Sequence, residues 1–549
     1  MSSTQDEARP RGGSTVRERA ALLSVYDKSG IEEFARTLAD GGWRIYASGG
    51  TARTLAAAGI ATTDVADLVG GGAILGHRVV TLSREIHAGL LARPVAEDLA
   101  ELDALGVPFI DLVCVDLYPL ADEIAKPDAT PDSVIEKTDI GGPTMLRSAA
   151  KGRRIVVSLP EQRAEVLAWL ARGEPDAASF RDALAAQAEA VIADYCLASA
   201  RYHSHGRFDG VVAEATRVLK YGENAPQAPA HLLKAATADP LALDELTLLA
   251  GTEPSYNNLA EVARQIQTVS HIAAGFERNF GAVPCIALGT KHGNACGAAV
   301  GESPVEAVRT MVMGDPRAIF GGLVMLNFPV TEEVAGELLG FGVSEGRRVL
   351  DAVTAPSFEE AAVQLLSRKG DKCRFLANEA LATLGEASLD ATPMLRQVRG
   401  GFLRQPNYTW VADLAAAEVT RIGELSATQR RDVILAWAIC ATSNSNTVTL
   451  CRDGGLIGNG VGQQDRVGCC ELALKRAADA GHEVAGAVAA SDSFFPRSDG
   501  PATLADAGIA AIWATSGSVR DAETQELCRS RGVALWQAPD SIGRGFFGH

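Results

Sequence analysis

The sequence predicts an α/β protein of at least two domains, and three observations carry that prediction. From Ala20 to about Tyr202, short apolar runs alternate with helical patterns, the rhythm of a parallel sheet covered by helices. A loop-rich segment, His203 to Pro240, then carries Gly206, Gly222, Pro226, Pro229 and Pro240 and marks a boundary. Beyond it two strand-to-glycine-loop units recur, Pro284–Gly297 and Thr447–Gly462, each followed by a helical stretch. They predict two related α/β subdomains within residues 213–549. A chain of 549 residues has room for this plan at roughly 100–200 residues per domain.

Taken in order, residues 1–19 are polar and lack the apolar core of a signal peptide, so they read as a disordered lead-in. Ala21–Tyr26, Arg44–Ala47, Phe109–Leu117 and Arg154–Leu159 read as buried strands, with helices such as Ile31–Leu38 between them. Helical patterns over Glu161–Arg172 and Ala177–Ala200 complete a first domain, 20–212. No short-period repeat is present.

Composition removes several classes. Forty-seven percent hydrophobic and 22% charged residues, with 55 Gly and 23 Pro, exclude disorder, collagen and coiled coil. A formal net charge of −17 argues against nucleic acid or an anionic membrane as partner, so an anionic substrate needs a locally basic pocket. The uncharged-looking stretch Val433–Cys451 contains Thr442, Ser443, Asn444, Ser445, Asn446, Thr447 and Thr449, too polar for a bilayer span. A cytoplasmic location is expected. Ten cysteines without a CxxC pair predict buried thiols rather than a disulfide framework or zinc ribbon.

Two glycine loops follow the first two strands. Ser24 to Gly30 includes Lys28, and Ser48-Gly49-Gly50-Thr51-Ala52-Arg53 opens the next helix. Free N–H groups at a helix start, a glycine that lets the backbone approach, and Ser, Thr or Lys donors suit a phosphate. Ordinary capped βα turns are the alternative; Arg78 and Thr81 strengthen the phosphate reading.

Longer motifs follow. Asp116-Leu117-Tyr118-Pro119 and the run from Asp139 to Lys151 (DIGGPTMLRSAAK) lie in the first domain. Lys291-His292-Gly293-Asn294-Ala295-Cys296-Gly297, Ser255–Leu259, Ile319–Leu323, Gly462–Val467 and Ser491–Pro496 lie in the second. By these motifs, in this order, the chain resembles over nearly its whole length the bifunctional family of aminoimidazole carboxamide ribonucleotide (AICAR) formyltransferase and inosine monophosphate (IMP) cyclohydrolase. The resemblance implies a methylglyoxal-synthase-like parallel-sheet domain that closes the purine ring, then two cytidine-deaminase-like α/β subdomains that transfer a formyl group. It implies a small ribonucleotide substrate, 10-formyltetrahydrofolate as donor, no zinc, and a homodimer with transferase sites near the subunit interface. By motif, Tyr118, Asp139 and Lys151 serve ring closure, and Lys291, His292 and Asn446 serve formyl transfer. Ser24, Lys28, Ser48, Gly50, Thr51, Arg78 and Thr81 would bind the ribotide in the first domain. Lys220, Tyr221, Asn257, Gly321, Arg466, Phe494 and Phe495 would bind substrates in the second.

The chain departs from the family pattern at telling places. Val80 in Gly76–Arg84 replaces a family lysine assigned to the cyclohydrolase site, and the neighbouring loop Gly71–Leu75 differs, which implies weakened ring closure. The family's Arg-Tyr-Gly becomes Lys220-Tyr221-Gly222, a point charge in place of a bidentate fork. The usual basic C-terminus becomes Arg544-Gly545-Phe546-Phe547-Gly548-His549. Two alternatives accommodate these changes: a specialised paralogue acting on an AICAR analogue in nucleoside natural-product assembly, and a ribotide- or folate-binding protein without turnover. A zinc deaminase using Cys285, His292 and Cys296 is disfavoured, because neither HxE nor a following PCxxC occurs.

Overall fold

A computed structural model describes residues 17–76, 78–235 and 237–548. The chain divides after Val212 into two compact units. Most of the expected N-terminal lead-in, residues 1–16, lies outside the described residues. Its last part differs from the expectation: Arg17 pairs with Asp111 at 2.5 Å, and the Arg19 guanidinium stacks 3.9 Å from the Trp43 ring and pairs with Glu174. These contacts draw residues 17–19 onto the domain.

The first unit is a five-stranded parallel sheet of β1 (Ala20–Ser24), β2 (Arg44–Ala47), β3 (Thr63–Asp64), β4 (Ile110–Val115) and β5 (Ile155–Val157), in the order β3-β2-β1-β4-β5. Leu22 pairs with Tyr46 on one side and Val113 on the other. Both faces are covered, so the strands are apolar throughout rather than alternating. The helix Ile31–Asp40 buries Ile31, Phe34, Ala35 and Leu38, one stripe at helical spacing. Strand order reverses between β1 and β4. That switch point opens a crevice at the carboxyl ends of the strands, the general ligand position in open α/β sheets.

The second unit is built on one twelve-stranded sheet. Its strands are β8 (Thr247–Ala250), β9 (Cys285–Lys291), β10 (Asn294–Gly301), β11 (Gly322–Leu326), β12 (Leu350–Ala355) and β13 (Arg374–Ala377), then β16 (Thr420–Ile422), β17 (Val448–Arg452), β18 (Gly455–Gly460), β19 (Val488–Ser491), β20 (Ala511–Ser516) and β21 (Ala534–Pro539). Two exposed hairpins lie outside it: β6 (Ala213–Leu219) with β7 (Ala230–Ala235), and β14 (Met394–Val398) with β15 (Gly401–Gln405). The order β16-β21-β20-β19-β17-β18-β10-β9-β11-β12-β13-β8 reads the same from either end when each half is numbered from its own start. The halves join edge to edge through antiparallel β18 and β10, Ala299 opposite Gly455.

Each half places one long helix before its central hairpin, Tyr256–Phe280 and Ala427–Ala441. Both begin with a capping box, Ser255 with Asn258 and Ser426 with Gln429. Residues 432–441 of the second helix are buried on every side, the signature of a helix enclosed in a core. Each recurring glycine unit is a β-hairpin. Its two-residue turn has left-handed backbone at both positions, His292 (φ 51) with Gly293 (φ 73) and Asp453 (φ 51) with Gly454 (φ 77). No described helix is long and apolar enough to cross a membrane.

Candidate active sites

The crevice of the first unit gathers several residues expected from sequence. Ser24 Oγ lies 2.7 Å from Ser48 Oγ, linking the two glycine loops, and Thr51 Oγ1 accepts from Val25 N at 3.1 Å. Lys28 Nζ bends back to the carbonyls of Val25 and Tyr26, beside Gly50. Burial pulls its pKa down, against the pull of Asp116. Asp116 follows β4 and accepts from the backbone of Tyr26 and Asp27 while pairing with the buried Arg163 at 3.2 Å. This carboxylate, rather than a substrate group, fixes the first loop. The Tyr26 and Tyr118 rings meet edge to face at 5.5 Å.

Asp139 sits at the start of the helix Gly141–Lys151, where Gly142 N donates to Oδ1 at 2.9 Å. Burial raises its pKa, and backbone N–H groups of Gly142, Tyr118 and Gly141 oppose that rise. The Tyr118 phenol is raised in turn, first by burial and then by the Asp139 charge. Thr81 is buried against Gly141, where an added Cβ would meet its Oγ1 at 2.6 Å. Arg78 is exposed and pairs with Glu136. Lys151 is not brought to this group: it closes the helix that Asp139 precedes, about 15 Å away along the axis, and is exposed. Val80 turns its side chain onto the apolar cluster that also takes Leu68, Val69 and Leu117.

In the second unit a cleft of about 590 Å³ lies between the two halves of the sheet. Lys291, His292, Asn294 and Cys296 line it from the first hairpin, and Asn444, Ser445 and Gly462 from the other half. His292 is exposed at the turn. Lys291 Nζ donates to the carbonyls of Gly321 (2.7 Å) and Phe320 (3.1 Å), leaving one of its three N–H bonds free. Gly293 has left-handed backbone (φ 73), and a Cβ there would meet Arg264 Cδ at 2.8 Å. Arg264 donates to Asn444 Oδ1 at 2.7 Å and its guanidinium covers the Phe547 ring at 4.8 Å. Among the described residues, the buried atoms Asn294 Oδ1, in the cleft lining, and Glu261 Oε2 have no hydrogen-bond partner.

Asn446 is locked beside the cleft. Its Nδ2 donates to Gln463 O at 3.0 Å and its Oδ1 accepts from Arg466 Nη2 at 2.7 Å, which leaves one amide hydrogen free. Arg466, expected to meet a ligand anion, meets Asp492 inside the protein instead, with a second bond to Ser491 Oγ at 2.7 Å. Ser445 Oγ and Thr447 N also donate to Asp492. The C-terminal segment is tied to the same loops through Phe547 N to Ser443 O and Gly545 N to Asp492 O. Phe495 is 3% exposed and packed in the core, so only the half-buried Phe494 offers a ring face. Lys220 and Tyr221 lie in an exposed turn tied to the long helix by Asn257 Nδ2 donating to Glu223 O. These three do not line the cleft.

Cys285 and His292 stand at opposite ends of β9, about 20 Å apart, so they cannot share a metal ion. Among the described residues no three His, Cys, Asp or Glu side chains converge as a metal site. Sequence reading named Asp116 within its motif and Asn444 within a polar stretch but assigned neither a role, and it did not single out Arg264; only the tertiary fold brings them to the loops they hold.

A parallel-sheet domain with its crevice at the switch point, followed by a doubled α/β unit with a polar cleft between its halves, defines a two-site enzyme. The MGS-like domain family matches residues 30–144 and the AICARFT/IMPCHase bienzyme family matches residues 149–476. The chain belongs to the AICARFT/IMPCHase bienzyme family. It is similar to the "Bifunctional purine biosynthesis protein PurH" of Cutibacterium acnes, 37% identical over 94% of this chain and 97% of that one. The protein of the same name in Oceanobacillus iheyensis is 36% identical over 94% of this chain and 98% of that one. A solved structure described as "Crystal structure of ForH" matches 34% of this chain and 99% of its own at 38% identity, with a TM-score of 0.30.

Proposed function

We propose that the second unit, residues 213–549, transfers a formyl group from 10-formyltetrahydrofolate to the 5-amino group of AICAR, and that residues 20–212 close the product to IMP. One observation supports this most: Lys291 and His292 line the same cleft as the Asn444–Ser445 loop, beside an Asn446 amide held by Arg466. The amine of AICAR is weakly basic, so attack on the formyl carbon needs proton removal, protonation of the departing folate nitrogen and a donor to the tetrahedral oxyanion. His292 is the proton shuttle, because an imidazole can take a proton at one ring nitrogen and return it in the next step. Lys291 supplies charge, and the free hydrogen of the Asn446 amide faces the oxyanion. Phe494 stacks on the pterin, and Gly321 fixes the Lys291 ammonium.

For ring closure, Asp139 and Tyr118 move protons and the loops at Ser24, Lys28, Ser48, Gly50 and Thr51 take the ribotide phosphate, with Arg78 and Thr81 at the rim. In a homodimer, Lys220, Tyr221 and Asn257 are free to serve the cleft of a second copy. We place the protein in the cytoplasm, with small molecules and a second copy of itself as partners; its net charge of −17 argues against a nucleic-acid partner. His292→Ala tests the transfer assignment. A fall in tetrahydrofolate release of about 10²–10⁴-fold is expected; near-parental turnover would exclude the role.

A further inference from the structure

Ring closure generates an oxyanion, and the first unit places a valine where the resembled family has a lysine. Its four lysines have distinct fates. Lys28 Nζ donates to two backbone carbonyls in the glycine loop assigned to the ribotide phosphate, Lys126 pairs with Glu123 at 2.6 Å, and Lys151 stands at the far end of its helix. Lys137 differs. It is half-buried, its Nζ has no ion pair among the described residues, and it lies 5.2 Å from the Tyr26 ring centroid. Tyr26 in turn contacts Tyr118 edge to face, and Asp139 is two residues along the chain.

The strand of chain around Val80 runs beside this lysine. Arg78 pairs with Glu136 and Thr81 packs against Gly141, so residues 78–81 lie alongside residues 136–141. Val80 itself turns into the apolar cluster, leaving the polar side of this seam to Lys137. The backbone of Lys137 is fixed from the other side, its carbonyl accepting from Tyr195 Oη at 3.1 Å while Asp139 N meets the same phenol at 2.6 Å.

We propose that Lys137 is a substrate-facing catalytic residue of the ring-closure site, donating to the formyl oxygen of the ribotide. The carboxamide nitrogen bonds to the formyl carbon, and the C=O electron pair moves to the oxygen, where the Lys137 ammonium meets it. That oxygen takes the proton released by the nitrogen. It then leaves as water with the hydrogen of the formamide nitrogen, whose bond to carbon becomes double. This assignment rests on the ring-closure reading above and supplies the cation that Val80 does not.

The test is closure of synthetic formyl-AICAR, followed as IMP formation by the full chain. Lys137→Met should lose about 100-fold, the scale of one oxyanion donor, with its thermal unfolding midpoint unchanged. Lys137→Arg should retain closure within about tenfold, since it keeps the charge. Lys126→Met, a neighbouring lysine outside the site, should match the parent. A Lys137→Met variant that closes the ring within threefold of the parent overturns the proposal alone. A parent enzyme that makes no IMP from formyl-AICAR overturns the proposal together with the ring-closure reading.

Discussion

Arg466→Met should separate what holds the transfer site from what reacts in it. The Arg466 side chain is 10% exposed and its partner Asp492 is fully buried, so the variant strands a carboxylate in the interior. Breaking such a pair costs roughly 3–5 kcal/mol. Ser445 Oγ and Thr447 N remain as donors to Asp492, which places the cost near the lower end, about 3 kcal/mol. With an unfolding entropy of about 2.1 cal/mol/K per residue, a unit of roughly 340 residues should lose about 4 °C from its midpoint. The same variant frees Asn446 Oδ1, so the amide loses its orientation and formyl transfer should fall about 10²-fold. Arg466→Lys discriminates: an ammonium can still meet Asp492 but cannot fork to Asn446 as well, so most stability should return without the rate. Calorimetry and tetrahydrofolate release on the same preparations supply both numbers. An Arg466→Met midpoint within 1 °C of the parent, or full transfer in that variant, would refute this reasoning.

Three further outcomes follow from named contacts. Asp432 is buried, accepts from Asp453 N and Gly454 N, and burial raises its pKa to about 6. The native state therefore binds more protons than the unfolded chain between about pH 4 and 6, and stability falls as pH rises through that window, by about 2–3 kcal/mol from this group. Urea midpoints at pH 4.5 and 7 should differ less in Asp432→Asn than in the parent; equal differences would show that the group titrates normally. In Gly142→Ala the new Cβ would strike Asp139 Oδ2 and meet Leu117 Cδ2 at 2.7 Å, so closure should be lost at a stability cost of about 1–3 kcal/mol, and an unchanged IMP yield would contradict it. Lys291→Met should slow transfer at least tenfold, because its ammonium bridges Gly321 and the cleft; a parental rate in a transfer assay would remove its role.

Local patterns made part of this molecule legible in the sequence. β1, β2, β4 and β5 show as apolar runs because a sheet covered on both faces needs them, whereas the two-residue β3 is too short to leave a period. The helix Ala427–Ala441 is buried all round, so it shows no stripe to read. Lys291 and His292 stand out because seven consecutive residues share one hairpin. Arg264 is distant in sequence, and only the close approach at Gly293 reveals its place. Arg466 reads as a free cation until Asp492, 26 residues on, is folded against it. Likewise Val80 reads as a lost lysine, while the replacement ammonium lies 57 residues later in a segment that only Arg78–Glu136 and Thr81–Gly141 bring alongside.

Incubation of the purified chain with AICAR and 10-formyltetrahydrofolate, following tetrahydrofolate and IMP separately, tests the central claim most directly. Tetrahydrofolate should appear on addition of AICAR, with IMP formed in equal amount. No tetrahydrofolate release with AICAR, alongside release with another aminocarboxamide ribotide, would contradict the claim and point to a specialised substrate.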